Sequence, residues 1–242
     1  SKSLNRGLRD YTPISKSICL LQNTSDGCST TIHGVGYGSL IVSNAHLLKR
    51  NNGTLTIKSM HGEFKIQNTT AIRIAPVPNC DLIVLRLPKD FPPFSTKLKF
   101  RVPESNEQVC MVGTNFQEKW MSSTVSSTSY IQHIPGTQFV KHWIDTKDGH
   151  CGLPMVASKD GAILGLHSLT NTKQEYNCFA SATSVLMEIL DAPEHADWRK
   201  GWMYNPNDIS WGFMRLKEST PSGLFKPAKS IRDLELDIVN EQ

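Results

Sequence analysis

The 242-residue chain contains no apolar run of the roughly 20 residues that a membrane-spanning helix requires. Its opening residues, SKSLNRGLRDYTPIS, lack the apolar stretch of a secretory leader, so a chain that stays in a reducing compartment is expected. None of the six cysteines forms a CxxC pair, and no Cys/His cluster has zinc-finger spacing. A metal site is therefore not expected, and an even cysteine count without a leader does not imply disulfides. No internal repeat and no RNA-recognition signature interrupts the chain. The formal charge of +4 is a mild excess carried by scattered basic residues. It allows weak, non-specific contact with RNA and little else.

What is present reads as many short strands divided by turns, the pattern of an all-β protein. In the first half the strand candidates are Ile18–Leu21, Leu40–Ser43, Leu55–Ser59, Glu63–Gln67, Ala71–Ile74 and Leu82–Leu87. A second group comprises Gln108–Val112, Trp120–Ser127, Phe139–Ile144, Pro154–Ala157, Ile163–His167 and Asn177–Ala182. Three prolines and mixed charge make Pro88–Phe100 a connection between the groups rather than a strand. Thr183–Leu190 has apolar residues at helical spacing, and from about Ser219 onward the chain is polar, with a short helix expected over Ile231–Val239. The expected divisions are residues 1–90, 91–218 and a tail over 219–242.

One cysteine resists the reading of a buried thiol. Cys151 stands in Asp-Gly-His-Cys-Gly, ahead of a strand, where Gly149 can take backbone angles that let two N–H groups converge. Gly149 and Cys151 would then donate to one oxyanion, and Gly152 would leave room for a substrate. A nucleophilic thiol needs a base, and the base needs an orienting group. Of eight histidines, His46 closes an apolar strand, and Asp81 opens the apolar run Leu82–Leu87. A carboxylate at the mouth of a buried strand needs a partner, and histidine is a natural one. His61, His133 and His195 fall in turns or polar loops; His142, beside Trp143, reads as packing; His33 and His150 stay open.

The order His46, Asp81, Cys151 runs as in chymotrypsin, with cysteine in place of serine, and opposite to the papain-like order. The segments GVGYGSLIVSNAHL, KRNNGTL, KDFPPFSTKLKF, TNFQ, KHWIDTKDGHCGLPMVASKDG and GLHS closely resemble the nuclear-inclusion-a proteases of potyviruses. That resemblance implies a chymotrypsin-like double β-barrel with a short helix and a C-terminal tail. It implies a cysteine endopeptidase that cuts a viral polyprotein after glutamine and before a small residue. Cys151 would be nucleophile, His46 general base and then acid, and Asp81 the group that fixes the imidazole's tautomer. Thr146 and His167, with Asp148 beside them, match the positions that hold the glutamine side chain. The substrate would add as a strand against Ser168, Leu169, Thr170 and Asn171, with Trp211 walling the outer pockets. Cys80 stands where relatives commonly carry arginine.

The resemblance further implies a monomer without cofactor, at work in the host cytoplasm and nucleus, its partner an extended polypeptide with glutamine before the cut. The ends of the chain, Asp237-Ile-Val-Asn-Glu-Gln242 and Ser1, suit a protease that releases itself. A binding module for RNA or protein on the same fold is the competing expectation.

Overall fold

The computed structural model describes residues 8–116, 122–206 and 236–237. A short helix, α1 (Thr12–Ser15), leads into β1 (Ile18–Ser25), β2 (Cys28–Tyr37), β3 (Leu40–Ser43), β4 (Gly53–Ser59), β5 (Gly62–Ile66), β6 (Arg73–Pro76) and β7 (Ile83–Arg86). These strands form one antiparallel sheet in the order β5-β4-β1-β2-β3-β7-β6. The second group is β8 (Gln108–Thr114), β9 (Ser123–Tyr130), β10 (Gln132–His133), β11 (Phe139–His142), β12 (Pro154–Ala157), β13 (Ile163–Asn171) and β14 (Asn177–Ser181). They form a second antiparallel sheet in the order β10-β11-β14-β13-β12-β8-β9, and β15 (Leu236–Asp237) pairs with the end of β13.

Two apolar clusters explain why β3 and β7 read as continuous hydrophobic runs. Side chains alternate across a strand. Ile41, Ile83 and Leu85 therefore enter one cluster, inside the first sheet, with Leu21, Leu55 and Ile57. Leu40, Val42, Leu82 and Val84 enter the other, with Met155, Leu164, Leu166 and Phe179 of the second sheet. Both faces of these two strands are buried. Each fully buried aliphatic side chain contributes about 1.5–3 kcal/mol, so this shared packing holds the halves together. The sites at the ends of β3 and at the start of β7 thereby face the second sheet.

Several expectations are corrected in detail. The ten-residue β2 is the longest strand among the described residues, and no apolar alternation announces it, because Thr30, Gly34 and Gly36 share the buried face of Ile32. Strand β6 starts at Arg73, because residues 69–71 form a 3-10 turn capped by the Asn68 side chain. Strand β9 runs Ser123–Tyr130, and Trp120 lies outside the described residues. The expected helix is α2 (Ser184–Asp191), with the Thr183 side chain accepting from the Leu186 N–H as its N-cap. Of the tail helix expected over Ile231–Val239, only Leu236 and Asp237 are described, and they are strand. The Pro88–Phe100 connection is anchored by Phe91 and Phe94, both buried in the first cluster. No described helix is long and apolar enough to cross a membrane. All six cysteines are free thiols, five of them buried and Cys28 exposed.

Candidate active site

His46 and Asp81 come from opposite ends of neighbouring strands. His46 lies in a 3-10 turn, Ala45–Leu48, directly after β3, and Asp81 lies two residues before β7. Because β3 and β7 are antiparallel neighbours, the end of one meets the start of the other. Both side chains are fully buried, with His46 Nδ1 2.7 Å from Asp81 Oδ2. The His46 backbone N–H donates to Asp81 Oδ1 at 3.1 Å, and the Ser168 hydroxyl makes a short bond to Oδ2. The Asp81 carboxylate thus meets three donors, two from His46 and one from Ser168. It accepts the Nδ1 proton of His46, which leaves the Nε2 lone pair free. Nε2 is buried and has no hydrogen-bond partner among the described residues.

Burial alone would push the His46 imidazole down. The charge and hydrogen bond of Asp81, with Cys151 adding a smaller contribution, outweigh it and hold the group well above its ordinary range. The site therefore stabilises an imidazolium where a proton from a thiol would arrive.

Cys151 stands on the loop between β11 and β12, 8% exposed, its S–H directed at the Ser168 carbonyl at 3.4 Å. The loop is pinned on both sides. The Cys151 carbonyl accepts from the His33 N–H at 2.8 Å, and the Gly152 N–H donates to the His167 carbonyl at 2.8 Å. A Cβ on Gly152, where φ is +87°, would lie 1.8 Å from the His33 carbonyl oxygen, so only glycine fits. Gly149 has φ +86°, and its carbonyl accepts the Nδ1 proton of His33 at 2.7 Å. The N–H groups of Gly149 and Cys151 have no acceptor among the described residues. Two unclaimed donors flank the thiol, as an oxyanion hole requires.

His33, from β2, is a contributor that the sequence left open; it fixes the loop from the first sheet. Burial pushes its imidazole down to about 4, so it stays neutral and keeps a single proton for the Gly149 carbonyl. Asn44 bridges the same boundary. Its amide donates to the Asp81 carbonyl at 3.4 Å and to the His167 carbonyl at 3.2 Å.

Ser168, expected to meet substrate as part of a strand, has a side-chain role that the sequence did not announce. Strand β13 pairs His167 with Phe179 and Leu169 with Cys178, so Ser168 is the extra residue of a β-bulge. The bulge turns its hydroxyl away from the sheet face and onto Asp81, while its carbonyl meets Cys151. Leu169 and Asn171 are buried, and Thr170 is half-buried. Thr146 is half-buried and Asp148 exposed on the Cys151 loop, and Trp211 lies outside the described residues. His167 is 3% exposed, and its Nδ1 lies 3.1 Å from Nε2 of His142. Burial, reinforced by the neighbouring His142, His150 and His46, drives His167 well below its ordinary range. His142, which the sequence assigned to packing, is its partner. Among the described residues no cluster of three His, Cys, Asp or Glu side chains is placed to hold a metal.

The sequence profile of peptidase family C4 matches residues 1–232. The chain belongs to peptidase family C4. It is 54% identical over its whole length to part of the genome polyprotein of turnip mosaic virus (strain Japanese), and spans 8% of that polyprotein's length. The catalytically active tobacco etch virus protease complexed with product superposes with a TM-score of 0.82 at 48% identity, covering 88% of this chain and 93% of that one. Tobacco vein mottling virus protease gives a TM-score of 0.79 at 50% identity, covering 85% and 94%. The two antiparallel sheets are the chymotrypsin-like fold, and the C4 peptidase is a cysteine endopeptidase.

Proposed function

We propose that the C4 peptidase cuts a polyprotein after glutamine, with Cys151 as nucleophile, His46 as base and acid, and Asp81 as the group that orients His46. The carrying observation is the buried His46–Asp81 pair, whose imidazole interacts with the Cys151 thiol, itself beside two amides unclaimed among the described residues. In the first step the thiol leaves the Ser168 carbonyl and gives its proton to His46 Nε2. The sulfur attacks the scissile carbonyl, and the oxyanion sits between the N–H groups of Gly149 and Cys151. His46 then protonates the leaving amine, and a thioester remains. Water, deprotonated by His46, attacks the thioester; the acid is released and the thiol restored.

Glutamine is the residue this pocket suits. A neutral imidazole N–H reads an amide oxygen without bringing in charge, and His167 is held neutral by its burial. The hydroxyl of Thr146 makes no hydrogen bond among the described residues and supplies a second donor. An extended substrate adds its main chain to the end of β13 in place of Asp237 and Leu236, which pair there with Thr170 and Asn171. Tobacco etch virus protease holds its product on the same fold.

A peptide Asp-Ile-Val-Asn-Glu-Gln-Ser tests the reading. Cutting is expected between glutamine and serine, and a glutamate in place of the glutamine should suppress it by on the order of 10⁴, as for sites built on hydrogen bonds. Scission elsewhere, or equal rates for the two peptides, contradicts the proposal.

A further inference from the structure

His142 is fully buried and makes two hydrogen bonds that together leave it no freedom. The Ile144 backbone N–H lies 3.2 Å from His142 Nδ1. A backbone amide can only donate, so Nδ1 must be bare. A neutral imidazole carries one proton, and it must then sit on Nε2. That nitrogen is 3.1 Å from Nδ1 of His167, which must accept. The proton of His167 is thereby left on its own Nε2, the nitrogen with no hydrogen-bond partner among the described residues. A cationic form of either ring would set two protons in one short contact, and burial takes His142 down to about 3.

From this geometry we infer that His142 is a positioning residue for substrate selection: it fixes the tautomer of His167, so that Nε2–H is the donor offered to the substrate's glutamine oxygen. The inference rests on the glutamine reading above and adds its cause. A histidine with its proton on Nδ1 would present a lone pair to an amide oxygen and repel it. The backbone N–H of Ile144 therefore sets, through two rings, which atom of the substrate His167 can hold. Ile144 follows β11 by two residues, and His142 and His167 project from strands joined through β14. The sheet itself holds the relay in register. His142 touches no reacting atom, and its ring packs against Phe179 at a centroid distance of 6.2 Å.

The test compares His142→Phe with His142→Gln. Phenylalanine keeps the ring volume and removes the donor. Glutamine places an amide N–H near the position of Nε2 and a carbonyl near the strand. For the glutamine peptide, His142→Phe should raise KM about 10- to 100-fold with little change in kcat, since the contact serves substrate and transition state alike. His142→Gln should recover most of that loss. ¹⁵N NMR of the substrate-free enzyme reads the tautomer directly. His167 should show Nε2 protonated and Nδ1 bare in the wild type and in His142→Gln, and a mixture in His142→Phe. A wild-type His167 protonated on Nδ1, or a His142→Phe enzyme with wild-type KM, overturns the inference. If the tautomer is as stated and glutamine is still not preferred, the relay stands and the substrate reading fails. Should His142→Phe not fold, the wild-type spectrum and His142→Gln decide.

Discussion

His46 and His167 are both buried and both hydrogen-bonded through Nδ1, yet their proton affinities are driven apart. His46 faces a carboxylate and is raised well above its ordinary range; His167 faces a second imidazole and is pushed well below it. Burial works against the charged form at both sites. The neighbour decides the outcome, and each result suits a different task. A ring that takes up a proton serves bond-breaking, whereas one that refuses a second proton serves recognition of a neutral amide.

The first way to break the comparison is to remove the chemistry. Cys151→Ala should abolish turnover while binding of the glutamine peptide survives, and His46→Ala should be comparably severe, because such groups act as a unit. Single-turnover assays with mass-spectrometric product detection check both. Asp81→Asn should cost on the order of 10³–10⁴ in kcat, because an amide can hold His46 in the wrong tautomer. The effect should lie in kcat and not in peptide affinity.

Ser168→Ala sharpens the comparison with a smaller effect. It removes one of the donors to Asp81, a loss of about 1–2 kcal/mol, or roughly 10-fold in kcat. Unchanged kcat would show that the Ser168 hydroxyl does not act through Asp81.

The smallest expected effect is a flat line. With His167 neutral, the preference for glutamine over glutamate should not change between pH 8 and 6, a range in which glutamate stays ionised. Were His167 to take up a proton near 6.5, the glutamate peptide would gain steadily on acidification. Paired peptide competition across that range measures it.

The proposed catalytic group was legible as a candidate because each member sits at a strand boundary that the sequence marks. Asp81 opens the apolar run of β7, His46 closes that of β3, and Cys151 lies between two glycines. What the sequence hid depends on register across sheets. His142 shows nothing locally beyond Trp143, and only the β11–β14–β13 pairing brings it to His167. Ser168 reads as one more strand residue until the bulge turns it to Asp81. Strand β2, which carries His33, went unseen because serine, threonine and glycine dilute its alternation. Contacts made between distant strands leave no periodic trace in a single chain.

The most direct test is a ¹⁵N NMR titration of His46 and His167 in one sample, assigned with His46→Gln and His167→Gln. From pH 5 to 8, His167 should remain neutral with its proton on Nε2. His46 should retain its second proton to a pH above the ordinary histidine range. A His167 that titrates near 6.5, or a His46 that loses its second proton at or below that pH, would contradict the account.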